Sequence, residues 1–383
     1  SPGGHGQPMF TRVATRRWVV IAPILFCVWL SSLTPAQALN PNKELNQYVS
    51  KRWGLEEGLP QIRVKAIIQT HDGYIWFGTQ QGLVRFDGVQ MTVFNESNTP
   101  EIKHANILSL YEDSEHRLWI GTWDGGLLMY HQGSFSHIGT AQGLPNSTVK
   151  AVVRDQAGTL WVGTDEGLAT IVGDEVKVVD IAGLSGTQAI KSLVTDSAGN
   201  LWVVAGKEAL LYQYANATWS HVGVEEGLPH QSVGALARAS HQGIWVGTKG
   251  GLAKITNGQI QTWGPKEGLE ATSFYVIRED VDGNLWLGGR LTGLIRFDGQ
   301  RFVAYPKSRV LSHGSILSLY EDAERNLWVG THLGGLNRFR DGAFTSITTE
   351  HGLLNNVVWA VFESSDGTLW ASPDGGGLKT FLK

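Results

Sequence analysis

Eight tryptophans, Trp76, Trp119, Trp161, Trp202, Trp245, Trp286, Trp328 and Trp370, stand 43, 42, 41, 43, 41, 42 and 42 residues apart. Each sits in a similar phrase, as in DGYIWFGTQQGL, EHRLWIGTWDGGL, AGTLWVGTDEGL and ERNLWVGTHLGGL. Self-similarity at a period near 42 means one supersecondary unit per repeat, and at that length the candidates are four-stranded propeller blades or two-helix solenoid units.

Composition favours the blade. Forty-eight glycines, 15 tryptophans and only 17% charged residues suit short strands joined by tight turns, whereas helical solenoids are rich in Ala, Glu, Lys and Leu. Within a unit, short apolar runs such as Ala66 to Ile68, Tyr74 to Phe77, Leu83 to Phe86 and Met91 to Phe94 are separated by turn residues, which predicts four strands, A to D. Asp72-Gly73 and Asp282-Gly283 between A and B, and Asp87-Gly88, Asn257-Gly258 and Asp298-Gly299 between C and D, accept the positive φ of tight hairpins. One indole per blade, on strand B, fills the wedge between neighbouring sheets.

The predicted fold is therefore all-β, a single β-propeller of four-stranded antiparallel blades. The segment Gln47 to Trp53 matches a D strand, as in Ala343 to Ile347, while the unit around Trp370 ends after strand C. Pairing the first strand with the last unit closes eight blades and removes the open edge. The alternative is seven blades plus the start of a second propeller.

Residues 1–38 read as an N-terminal extension and signal peptide. Arg12, Arg16 and Arg17 precede an apolar run from Trp18 to Leu33, and Ala36-Gln37-Ala38 offers a cleavage site. Residues 39–383 are then one periplasmic or otherwise extracytoplasmic domain. Cys27, the single cysteine, lies in the export segment, so no disulfide is expected. A net charge of −4 with both signs scattered speaks against nucleic acid as partner. No cofactor is expected.

The phrase Asp-x-x-Gly-x-Leu-Trp-x-Gly-Thr-x-x-Gly-Leu, with Gly-Leu-Pro ahead of strand A at Gly58, Gly143 and Gly227, resembles the two-component regulator propeller repeat. The resemblance runs from about Tyr48 to Lys383. It implies the sensor region of a bacterial membrane receptor whose output is a histidine kinase or diguanylate cyclase, several such sensors responding to polysaccharide fragments. Membrane attachment would come through the parent receptor's span, and a homodimer fits the full receptor. The chain itself shows no kinase nucleotide loop and no cyclase signature.

Positions that vary inside the repeating frame are those free to specialise. In a blade, the B–C loops and the D–A connections open on one face around the central channel. After the Gly-Thr of strand B the units carry Gln80, Trp123, Asp165, Gly206, Lys249, Arg290, His332 and Asp374. Amides, hydroxyls and imidazoles such as His104, His230 and His313 precede strand A. From this rim we take Trp123, Asp124, Lys249, Tyr275, Arg290, His332, Trp359 and Asp374 as candidate ligand-binding residues, suited to hydrogen-bonding and stacking on a small polar ligand such as an oligosaccharide. No catalytic residue and no metal ligand is expected. The hairpin from Ser365 to Trp370 resembles an Asp-box but is one residue short, and Asp280 to Asn284 begins like a calcium loop without its later glutamate. A protein-interaction scaffold and a propeller lyase are the competing functions.

Overall fold

Each unit begins with a turn that locks its own tryptophan. Asp113, Asp155, Asp196, Asp280 and Asp322 close strand A, and in each the Oδ1 accepts the backbone amide four residues on. The Oδ2 accepts the indole Nε1 of the tryptophan six residues on, at 2.8, 2.8, 2.9, 3.0 and 2.7 Å respectively. Thr70 takes this part for Trp76 and Ser364 for Trp370. In the fifth unit, where Ala239 has no acceptor, Glu279 of the following unit reaches Trp245 Nε1 at 2.8 Å. The first seven indoles are buried, as expected of core residues.

The computed structural model describes residues 39–381 except 41–42, 44, 185, 271–272, 306–310, 343–348, 350–352, 366–367 and 376. The export signal expected at 1–38, the D strand expected at Ala343 to Ile347 and the Asp366-Gly367 turn lie outside the described residues. The chain is all-β with three short 3-10 turns among the described residues, and its strands form antiparallel sheets in A-B-C-D order. Six sheets, from Val64–Phe94 to Phe274–Tyr305, take all four strands from one unit.

The A strands lie side by side: Val64–Gln69, Ile107–Glu112, Val149–Arg154, Ile190–Thr195, Val233–Arg238, Phe274–Glu279 and Ile316–Glu321. A glycine two residues after the tryptophan lets this happen. A Cβ on Gly78, Gly163, Gly247, Gly288 or Gly330 would fall 2.5 to 3.0 Å from the first residue of the next A strand: Ile107, Ile190, Phe274, Ile316 and Val64 respectively. Val204 occupies this place in the fourth blade and packs with Val233.

Closure follows the second of the two arrangements the sequence allows. Strand Val49–Trp53 does supply a missing D strand, but to the seventh unit: Val49 pairs with Arg340 and Trp53 with Leu336. Trp53 stacks on Trp328 with centroids 5.3 Å apart, and Arg52 Nε donates to Gly334 O. Strand Ile316–Glu321 then lies beside Val64–Gln69, so seven blades form the ring. Ahead of the strand, Leu39, Leu45 and Tyr48 pack with Trp286, Tyr305, Leu311 and Phe339. The Tyr48 hydroxyl donates to Asn40 O at 2.7 Å, and Lys43 pairs with Asp341 at 2.9 Å. The eight-blade closure is corrected accordingly. The Trp370 unit forms a separate three-stranded sheet, Val358–Glu363, Leu369–Pro373 and Lys379–Phe381, whose Trp359, Val361 and Phe362 are exposed.

Candidate functional site

One backbone hydrogen bond recurs on the face where B–C loops and D–A connections open. The amides of Trp123, Asp165, Gly206, Lys249, Arg290 and His332 donate to the carbonyl of the residue just before strand A in the same blade, at 2.8 to 3.4 Å. Thr79, Thr122, Thr164, Thr248 and Thr331 fasten the same loops by donating Oγ1 to Gly82, Gly126, Gly167, Gly251 and Gly335. The variable residues therefore hang from equivalent points of a stiff frame, and their differences are chemical.

The residues entering strand A serve the frame itself. His104, His230 and His313 each accept, through Nδ1, the backbone amide two residues on, at 3.3, 2.9 and 3.0 Å. Asn146 and Asn355 do the same through Oδ1. These are side-chain turns of the Asx kind. The imidazoles and amides expected to face a ligand spend one acceptor on their own backbone.

A second device stands at the start of strand A. Every A strand has a β-bulge at its second residue, where the register with strand B shifts. A bulge frees a residue from the ladder and re-aims its side chain. The bulged residues around the ring are Lys65, Leu108, Lys150, Lys191, Gly234, Tyr275 and Leu317. Three of the seven are lysines, and Trp359 holds the same place in the separate sheet.

The lysines act on one another. Burial first, then the charges of Arg63 and Lys150, pull Lys65 down to about 8. Lys191 is lowered by burial and then by Lys150 and Lys249, against the opposing pull of Glu208. Lys150 pairs with Asp165 and Lys191 donates to Lys207 O at 3.0 Å. No carboxylate pairs with Lys65 among the described residues, and Arg63 Nε is buried without a hydrogen-bond partner. His332 is lowered by burial, then by Arg63, His313 and Lys65, which places it beside the same cations. Lys65, Lys150, Lys191, Lys249 and Arg63 thus act on one another, with Asp165 and Glu208 as opposing acids.

Of the residues singled out in the sequence, Trp123, Asp124, Lys249, Arg290 and His332 lie on B–C loops of the ring, and Tyr275 at a bulge beside them. Trp123 is 47% and Tyr275 45% exposed, so both rings are free to stack. Asp124 accepts from Ser147 Oγ and adopts φ 57°. Trp359 and Asp374 belong to the three-stranded sheet, where Trp359 Nε1 donates to Asp374 Oδ1 at 3.1 Å. Lys65, Lys150 and Lys191 escaped the sequence reading, which looked for variation in loops. Their signal was the second position of strand A, which ranges over Lys, Leu, Gly and Tyr between a first position that stays apolar and a third that stays small, Ala, Ser or Val.

Residues 58–81, 101–124, 143–166, 310–332 and 352–375 match the family model of the two component regulator propeller. No curated protein matches the chain in sequence. Among solved structures, the extracellular domain of a putative hybrid two component system from B. thetaiotaomicron is similar at 25% identity and a TM-score of 0.74, over 88% of this chain and 48% of that one. A second such domain from the same organism gives 23% and 0.63, over 88% and 45%. The chain thus spans about half the length of these two extracellular domains. Virginiamycin B lyase from Staphylococcus aureus shares the fold, with 12% identity and a TM-score of 0.62 over 78% of this chain and 99% of that one. No helix among the described residues is long and apolar enough to cross a membrane.

Proposed function

For a chain built of two-component regulator propeller repeats, we propose that the seven-bladed ring is the extracytoplasmic ligand-binding part of a signalling receptor, and that its ligand is a small acidic saccharide. The likeness to extracellular domains of hybrid two-component systems supports the receptor part. The observation that carries the ligand class is the mutual interaction of Lys65, Lys150, Lys191 and Arg63, with Asp165 the one acid in a salt bridge to any of these lysines among the described residues. Like charges held together cost free energy until an anion arrives. A carboxylated or sulfated sugar supplies that anion, and Trp123 and Tyr275 offer faces for its ring.

The reading assigns no chemical step to this chain; output would come from a kinase or cyclase elsewhere in the receptor, biased by ligand occupancy. Calorimetry with paired oligosaccharides tests it, for instance trigalacturonate against its methyl ester. The acid should bind, the ester more than about tenfold more weakly, and Lys65→Met should erase the difference. Equal binding of acid and ester overturns the anionic ligand while leaving the sensor. Consumption of the ligand points to the lyase. No saccharide bound, together with a protein co-purifying on this face, points to the scaffold.

A further inference from the structure

The A–B turns open at the other end of the strands, away from the B–C loops. There the glutamate ending strand A forms a clasp between blades. Glu279 accepts the amide of Ser240 in the preceding blade and Glu321 that of Val281, both at 2.9 Å. Gln69 completes the series across the closure by accepting from Ala323 N. Glu112 belongs to this set, taking the amide of His71 on both oxygens at 3.1 and 3.0 Å.

What sets the first seam apart is a pair of imidazoles. His71 Nδ1 lies 2.7 Å from Glu112 Oε1. The rings of His71 and His116 stack with centroids 3.8 Å apart and planes 23° from parallel. Ligand atoms from His71, Glu112 and His116 lie within 4.8 Å of one another. They border a cavity of about 430 Å³ whose lining includes Trp76, Tyr130 and a third imidazole, His131.

His116 is also in a place that does not suit it. Its φ is +61°, and the equivalent position is Gly73, Gly158, Gly199 and Gly283 in four other turns. A left-handed backbone costs a residue with a Cβ free energy that glycine avoids. Arg325 bears the same cost at the equivalent position of the seventh unit's turn.

We infer that His71, Glu112 and His116 form a divalent transition-metal site, with zinc the best fit, that clamps the first blade to the second. Two imidazoles and one carboxylate are the donors zinc accepts, leaving a fourth tetrahedral position for water. Magnesium and calcium prefer all-oxygen shells and are poorly served by imidazole. Tetrahedral bonds near 2.0–2.2 Å bring donors to about 3.3–3.6 Å apart. His71 and His116 are exposed and turn without disturbing the core. Glu112 is already fixed by the His71 amide and is the anchor. The site lies outside the channel and departs from the sequence expectation of no metal ligand.

The test is a titration of zinc chloride into the full chain, followed by calorimetry and thermal melting. One equivalent should bind and raise the melting temperature. His116→Gly should weaken that binding more than about tenfold, and because glycine serves this position in four sister turns, the variant keeps its fold, verified by an unchanged near-ultraviolet circular dichroism spectrum. Glu112→Gln should weaken zinc binding as well. Absence of one-equivalent uptake by the wild-type chain overturns the site, as does wild-type affinity in His116→Gly. Calcium binding in preference to zinc overturns the assigned metal class.

Discussion

At the scale of single residues, the aspartate six positions before five of the tryptophans is as much a part of the repeat as the indole. These carboxylates do not all sit in the same electrostatic setting. Burial pushes Asp113 up, but hydrogen bonds from Trp119, from Arg117 and from the Glu115 amide more than offset it and hold the group below its ordinary range. Arg154 of the next blade also reaches it, at 3.3 Å. Burial dominates at Asp280 and raises it, despite the bonds from Trp286 and Asn284. The two therefore contribute with opposite sign. The stabilisation from Asp113 is present above its unfolded pKa and fades as pH falls through the lowered folded value. That from Asp280 is present below its unfolded pKa and is lost as pH rises through the raised one. At pH 7, Asp113→Asn should cost about 1–3 kcal/mol, since Arg117 and Arg154 lose their partner. Asp280→Asn should cost less, because no charge is then buried, although the amide nitrogen that replaces Oδ2 cannot accept from Trp286 Nε1. Urea denaturation of both variants at pH 7 and pH 4 checks the order and its narrowing in acid.

Among the elements, strand B and the following strand A approach most closely where a glycine stands two residues after the tryptophan, as it does in six of the seven ring blades. A Cβ on Gly121 would meet Ser109 Oγ at 2.3 Å and Val149 O at 2.6 Å. Since Val149 belongs to the next blade, the clash falls on the seam and side-chain rotation does not relieve it. Gly121→Ala should therefore destabilise by about 1–3 kcal/mol, measured by thermal and urea denaturation. Alanine at Gly88, where nothing lies within 4 Å of the added atom, suffers only from its positive φ of 100°. Strand identity, hairpin turns and the buried indole were legible in the sequence because each follows from a repeated local pattern. The bulge was not, since a bulged residue looks like any other residue of its strand. Tyr275 drew notice as an aromatic among polar neighbours, yet it shares its position with Lys65, Lys150 and Lys191. The turns made by the histidines before strand A were not legible for a related reason: a ring nitrogen that accepts a backbone amide looks like any other in the sequence.

For the whole molecule, the tryptophan count gives eight units while strand pairing gives a ring of seven. The sequence offers Ala343 to Ile347 as the seventh unit's own D strand and leaves only the eighth unit without one, and three-dimensional pairing alone shows that Val49–Trp53 takes Leu336–Arg340. Trp53 on Trp328 and Lys43 on Asp341 then hold the join. A chain ending at Gly342 should keep the ring, with a melting temperature within a few degrees of the full chain. A chain lacking residues 39–53 should lose the cooperative transition and associate through the exposed edge of Leu336–Arg340. Differential scanning calorimetry and light scattering on the two truncations separate these outcomes.

The join has a temporal side. Val49–Trp53 leaves the ribosome among the earliest residues of the ring, and its partner Leu336–Arg340 among the last. Until then the early strand has no mate, and the first and seventh blades cannot meet. Completion of the disc therefore waits for Leu336–Arg340 to emerge, and every earlier stage of synthesis leaves the first and seventh blades unjoined.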